Sequence, residues 1–150
     1  MRIFVETVLP APADRVWEVL QRTETLQRVA APLLQFRAVE SGGMPGLWRE
    51  GTEARLRLYL FGLVPVGRHT VRVDVLDQER GEIHTRESGG MAPVWNHTIR
   101  IAAMGERATR YSDAVEIRAG MRTPLVWLFA WFFYRHRQRR WRALLASGRL

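Results

Sequence analysis

Residues 95–101 read Trp95-Asn96-His97-Thr98-Ile99-Arg100-Ile101, and the alternation across these seven positions decides the fold. Apart from one histidine the odd positions are apolar, and the even positions are all polar or charged. Successive side chains of a β-strand point to opposite faces, so this is a strand with one face buried. The same parity extends outward from it. Between residues 69 and 117 the odd positions hold Val71, Val73, Val75, Ile83, Trp95, Ile99, Ile101, Val115 and Ile117. The even positions hold Arg72, Asp74, Glu82, His84, Arg86, Asn96, Arg100, Arg110, Glu116 and Arg118. An antiparallel sheet with one face on a core and the other in water produces this pattern.

Turn signals at Gly42-Gly43, Gly62, Gly81, Gly89-Gly90 and Gly105 divide the stretch from Leu34 to about Arg118 into six strands. Short connections pair them as antiparallel neighbours. Residues 2–9 form an earlier strand, ended by Pro10 and Pro12, which is expected to close beside the last one. Asp14 to Leu20 then has helical spacing, with Val16, Trp17 and Leu20 on one stripe, and a second short helix runs from Thr23 to Val29 before Pro32. The chain ends in a long helix, with Thr123 as N-cap, Pro124 at the first helical position and Gly148 as the stop. The fold class is α+β: seven antiparallel strands with helices on one face.

This order of elements resembles the START/Bet v 1-like (SRPBCC) superfamily, including its polyketide cyclase/dehydrase and lipid-transfer-like branches. The resemblance includes the opening Ala11-Pro12-Ala13-Asp14-Arg15-Val16-Trp17-Glu18-Val19-Leu20, a small-residue and proline break followed by a Val-Trp-x-x-Leu helix. It implies a single helix-grip domain over residues 1–150, in which a curved sheet grips the C-terminal helix around an apolar ligand cavity. The motif is packing chemistry, and no catalytic signature comes with it residue by residue.

Composition narrows the chemistry. A chain of 150 residues can close a core unaided, and 47% hydrophobic with 25% charged residues is ordinary for a folded domain. With no cysteine, disulfide scaffolds, thiolate catalysis and cysteine-ligated metals are excluded. All 23 basic residues are arginine, so Schiff-base chemistry on lysine is excluded too. The net charge of +8 is uneven: residues 135–150 carry six arginines and no acid. Such a segment is either a solvated helix face or a surface for anionic partners. The start, MRIFVETVLP, reads as a strand and carries no export signal, so a cytoplasmic location is expected.

Six residues break the apolar parity: His69, Thr85, Glu87, His97, Tyr111 and Asp113 are polar or ionisable yet face inward. A hairpin centred on Gly105 pairs His97 with Asp113 and Ile99 with Tyr111. A turn centred on Met91 pairs Thr85 with His97 and Glu87 with Trp95. Parity holds even if a register slips by two. Buried polar groups need partners, so three readings stand. The cluster is self-satisfied, or it is the polar end of a ligand site, or it performs acid–base chemistry with His97, Asp113 and Tyr111 as catalytic residues. No cofactor is expected, and the spacing of His69, Glu87, His97 and Asp113 is not diagnostic of a metal.

On the long helix, Trp127, Trp131, Tyr134, Gln138, Trp141 and Leu145 form one stripe, expected to face the sheet and roof the cavity. The expected ligand-binding set is therefore Thr85, Glu87, Trp95, His97, Ile99, Tyr111, Asp113, Trp127, Trp131, Tyr134 and Gln138. The opposite face carries Leu125, Leu128, Phe129 and Phe132, followed by His136, Arg139 and Arg140. It fits an anionic membrane contact, a homodimer contact, or cover by the chain's own loops. Arginine-rich segments are unspecific, and no nucleic-acid-binding motif accompanies this one. Three functions follow: binding of a lipid-like or polyaromatic molecule, a cyclase- or dehydratase-like reaction at His97 and Asp113, and delivery at a membrane surface.

Overall fold

The computed structural model describes residues 1–150. Its elements are β1 (Arg2–Leu9), α1 (Ala13–Leu20), α2 (Thr23–Ala30), β2 (Leu34–Ala38), β3 (Glu53–Leu60), β4 (Val64–Asp77), β5 (Glu82–Gly89), β6 (Val94–Ala103), β7 (Thr109–Arg118) and α3 (Thr123–Ala146). The strands form one antiparallel sheet in the order β1-β7-β6-β5-β4-β3-β2, so the first strand does close beside the last. Val71, Val73, Ile83, Trp95, Ile99, Val115 and Ile117 are all buried on the concave face, as the parity requires. The core between this face and α3 is continuous with the apolar stripes of α1 and α2.

The two pairings of β6 differ in how closely they follow the sequence pattern. Thr85 pairs with His97 and Glu87 with Trp95, as expected. Across β6 and β7 the pairing is shifted by two, so His97 faces Val115 and Ile99 faces Asp113. The shift preserves the buried face. The other departure is a bulge in β4 between Val73 and Val75, after which Val75 pairs with His84 and Leu76 with Ile83. One extra residue turns Val75 outward, 37% exposed, and brings Leu76 against the core instead.

The ends of α3 follow local chemistry. Thr123 is the first helical residue rather than the cap; its hydroxyl donates to the Gly120 carbonyl (2.7 Å) and accepts from the Ala119 amide (2.9 Å). At the other end Gly148 adopts φ +66, its amide bonds to the Leu145 carbonyl and the Arg149 amide to Leu144. This Schellman closure needs a residue that tolerates a left-handed backbone. No helix is long and apolar enough to cross a membrane.

Candidate functional site

A cavity of about 110 Å³ lies between the concave sheet, α2 and α3. Sixteen of its 22 lining residues are hydrophobic, among them Val29, Phe36, Val73, Ile83, Ile99 and Trp141. The polar remainder includes His69, Thr85, Glu87, His97 and Arg137. β4, β5 and β6 place the first four there because each occupies an inward position in its strand, where register brings neighbouring side chains within reach.

These groups form two linked sets. In the first, His69 Nε2 lies 2.7 Å from Glu87 Oε2, and the Thr85 hydroxyl donates to Glu87 Oε1 at 2.6 Å. In the second, His97 Nε2 lies 2.9 Å from Asp113 Oδ1, to which the Tyr111 hydroxyl also donates at 2.8 Å. The Gln138 amide donates to Asp113 Oδ2 (3.0 Å) and to the Val5 carbonyl (2.9 Å), tying α3 to β7 and β1. His97 joins the sets, its Nδ1 standing 3.9 Å from Glu87 Oε1. Trp95 donates its indole N–H to the Tyr134 hydroxyl at 3.0 Å, and the Tyr134 ring packs edge-on to His97.

The carboxyls stay ionised despite burial. Desolvation pushes Glu87 up, but the hydrogen bond to His69, the electrostatic pull of His69 and His97 and the Thr85 hydroxyl outweigh it, leaving Glu87 below its ordinary value. Asp113 is also pushed up by burial and held below the usual range by the His97 bond, the Arg137 charge and Gln138. Burial, followed by the Asp113 charge, pushes the Tyr111 phenol well up, so it remains a hydrogen-bond donor.

Thr85, Glu87, Trp95, His97, Ile99 and Tyr134 line the cavity as expected. Tyr111, Asp113 and Gln138 do not reach it; they form a supporting layer behind His97. Trp127 and Trp131 are not roof residues. The Trp127 indole donates to the Arg2 carbonyl at the sheet edge (2.9 Å), and Trp131 is half-exposed beneath the Arg135 guanidinium. The roof is Phe133, Tyr134, Arg137 and Trp141. At 100° per residue the buried face of α3 is centred roughly 50° from the expected stripe, on the side where α2 packs. That contact explains the rotation: His136 Nε2 donates to the Ala31 carbonyl (2.8 Å) and Arg140 to that of Arg28 (3.4 Å), so His136 and Arg140 belong to the α2 interface rather than to an outer surface. Phe129 stacks on Phe133 and is half-buried. Leu125, Leu128 and Phe132 remain 71%, 46% and 58% exposed, and no loop of the chain covers them.

Arg137 is the residue that sequence reasoning missed, because it sat among arginines taken together as one basic segment. Its spacing from Tyr134 and Trp141 (three and four residues) was the available signal. It is 6% exposed, and its guanidinium carbon lies 5.1 Å from the Tyr134 ring centre. Burial opposes its charge, but the nearby carboxylates of Asp113 and Glu87 favour it and help to hold it protonated.

Residues 7–145 match the model of a protein family described as a domain of unknown function, DUF8410. No curated protein matches the sequence. Among solved structures, a START superfamily protein from Mycobacterium smegmatis superposes with a TM-score of 0.68 at 14% identity over 97% of both chains. The protein Ara h 8.0201 gives 0.72 at 13% identity over 98% of both chains. The Zhui aromatase/cyclase from Streptomyces sp. R1128 gives 0.56 at 21% identity, covering 80% of this chain and 70% of that one. The shared property is the START/Bet v 1-like fold.

Proposed function

The chain belongs to the DUF8410 family, and we propose that it binds a hydrophobic small molecule in the cavity between its sheet and its C-terminal helix. The observation that carries this reading is the cavity itself, an apolar chamber with one polar end of oriented hydrogen-bonding groups. Its size suits a compact ligand. A dry cavity of about 150 Å³ takes a benzene ring, so about 110 Å³ holds at most one small ring or a short acyl chain. A longer lipid tail or a fused ring system requires the walls to part. Native mass spectrometry of the purified protein, with solvent extraction of what it carries, tests the proposal. A bound small molecule that is lost in a Val71→Phe variant supports it. A protein that carries nothing and takes up no apolar probe overturns it.

A cyclase or dehydratase would use His97 as its base: Asp113 holds Nε2, and Nδ1, 3.9 Å from Glu87 Oε1, is beyond hydrogen-bond distance of it. Asp113 and Tyr111 stand behind the wall, so His97 alone of the three could touch a substrate, and we favour binding for that reason.

A second reading concerns the outer face of α3, where Leu125, Leu128 and Phe132 are exposed beside Arg135 and Arg139. No acidic residue follows Glu116 in the sequence. A twofold contact would set like charges against each other, whereas an anionic membrane surface would neutralise them, at roughly 1 kcal/mol per arginine. We therefore favour delivery at such a surface over homodimerisation. Sedimentation with anionic and neutral vesicles at two salt concentrations, alongside the mass in solution, tests it. Binding to anionic vesicles that weakens with salt is expected; a salt-insensitive dimer, or a monomer that ignores both vesicles, overturns it.

A further inference from the structure

Arg137 is a buried cation without a polar partner in the protein. It projects from α3 into the cavity wall, its enclosed Nε has no hydrogen-bond acceptor, and the rings of Tyr134 and Phe133 are centred 5.1 and 5.9 Å from its guanidinium carbon. Burying a guanidinium unpaired is costly, and a protein ordinarily supplies acceptors for it. Here the two neighbouring carboxylates do not act as those acceptors. Both oxygens of Glu87 are taken by His69 and Thr85, and both of Asp113 by His97, Tyr111 and Gln138. Each stands beyond ion-pair distance of Arg137, so they lend it a favourable field without occupying its donors.

The four N–H donors of its two terminal nitrogens, held in a rigid plane beside an otherwise apolar chamber, match one kind of guest. Resting on the cavity-binding reading above, we propose that the ligand is a compact amphipathic carboxylate, with its apolar body among Val73, Ile83, Ile99 and Trp141 and its anionic head against Arg137. The fork accepts a carboxylate through two parallel hydrogen bonds, and the water-poor surroundings strengthen them. An alcohol of the same length would fill the apolar part equally well. It would offer one acceptor, no charge, and would leave most of the fork unpaired.

The test is a calorimetric titration of the full chain at pH 8 with octanoate and, in parallel, 1-octanol. The expected result is that octanoate binds at least about tenfold more tightly, the scale of a hydrogen bond to a charged group. In Arg137→Met, which keeps an unbranched apolar stem and removes the charge, octanoate should fall to the level of octanol while octanol binding stays within about threefold. If both probes bind the wild-type protein equally, the carboxylate proposal is overturned and the cavity reading stands. If neither binds, the cavity reading falls and this proposal with it. The wild-type comparison needs no variant, so it decides the matter even if Arg137→Met fails to fold. Arg137→Lys provides the further check: it should keep a preference for octanoate, since the charge remains, but a weaker one, since the fork is gone.

Discussion

Replacing Asp113 by leucine removes, in a side chain of similar size, every acceptor in the layer that supports the cavity. His97 Nε2, the Tyr111 hydroxyl and one Gln138 N–H, now at 2.9, 2.8 and 3.0 Å from the carboxylate, lose their partner together. A buried donor left unsatisfied costs about 1–3 kcal/mol, and breaking a buried charged pair from one side costs about 3–5 kcal/mol. Asp113→Leu should therefore lose about 3–5 kcal/mol, a large part of the ~5–15 kcal/mol that stabilises a typical domain. Asp113→Asn should lose distinctly less. Its amide nitrogen can face the Tyr111 oxygen and the other tautomer of His97, while its oxygen still accepts from Gln138. Urea denaturation at pH 7 measures both. The pH dependence adds a second readout. Asp113 is held below the ordinary carboxylate range in the fold, against about 3.9 in the unfolded chain. A depressed carboxyl stabilises the fold above the unfolded value and loses that contribution as pH falls through the folded one. The gap between wild type and Asp113→Leu should thus be full at pH 7 and narrow below about pH 4. A loss under about 1 kcal/mol at pH 7, or a gap that does not change with pH, would refute the view that this layer is held by an ionised Asp113.

Three other outcomes follow from the geometry. In β5, a Cβ on Gly89 would stand 2.3 Å from the Arg68 carbonyl oxygen and 2.9 Å from His69 Nδ1. Gly89→Ala should therefore separate β4 from β5, lower the melting temperature by several degrees and loosen the His69–Glu87 contact, visible in the histidine NMR signals. The bulge in β4 makes the roles of two neighbours opposite. Val75→Thr should be neutral within about 0.5 kcal/mol, whereas Leu76→Ala should cost about 1–3 kcal/mol in urea denaturation; the reverse order would place the bulge elsewhere. For His97→Ala, a binding protein should lose no more than the worth of a hydrogen bond in ligand affinity, about 1–3 kcal/mol. A variant that binds unchanged while a turnover measured in the wild type disappears would instead establish catalysis.

The sheet was legible because its periodicity is enforced by a physical boundary. Each inward residue from Val71 to Ile117 is paid for by burial, and a slip by one would wet all of them. A slip by two carries no such penalty, which is why parity came through and the β6–β7 register did not. It mattered little for chemistry: His97 reaches Asp113 diagonally instead of directly. The bulge at Val75 was illegible for a related reason, since Val75 and Leu76 are both apolar and either could have faced the core. Thr123 shows a different limit. A threonine before a proline is a good cap signal, but Gly120, with φ +58, lets the preceding turn supply the carbonyl that its hydroxyl binds.

The helix was read less well than the sheet because a helix can be buried on more than one side. The stripe from Trp127 to Leu145 is the widest aromatic band, and against the sheet alone it would be the buried one. With α2 packed on its flank, α3 buries an arc that runs from Arg140 through Arg137 and Trp141 to Gln138. Composition pulled the same way, since six arginines without an acid read as solvent-facing. Five of the six positions, 135, 139, 140, 142 and 149, do keep at least partial exposure. Arg137 does not, and nothing in its immediate neighbours distinguishes it. The distinction comes from the helical turn on either side, where Tyr134 and Trp141 face the cavity and carry the intervening position with them. A charge retained at a buried position of this kind has no packing advantage over methionine or leucine. Its orientation into an apolar chamber, with every nearby carboxylate oxygen already engaged, is what makes a ligand the natural source of its missing acceptors.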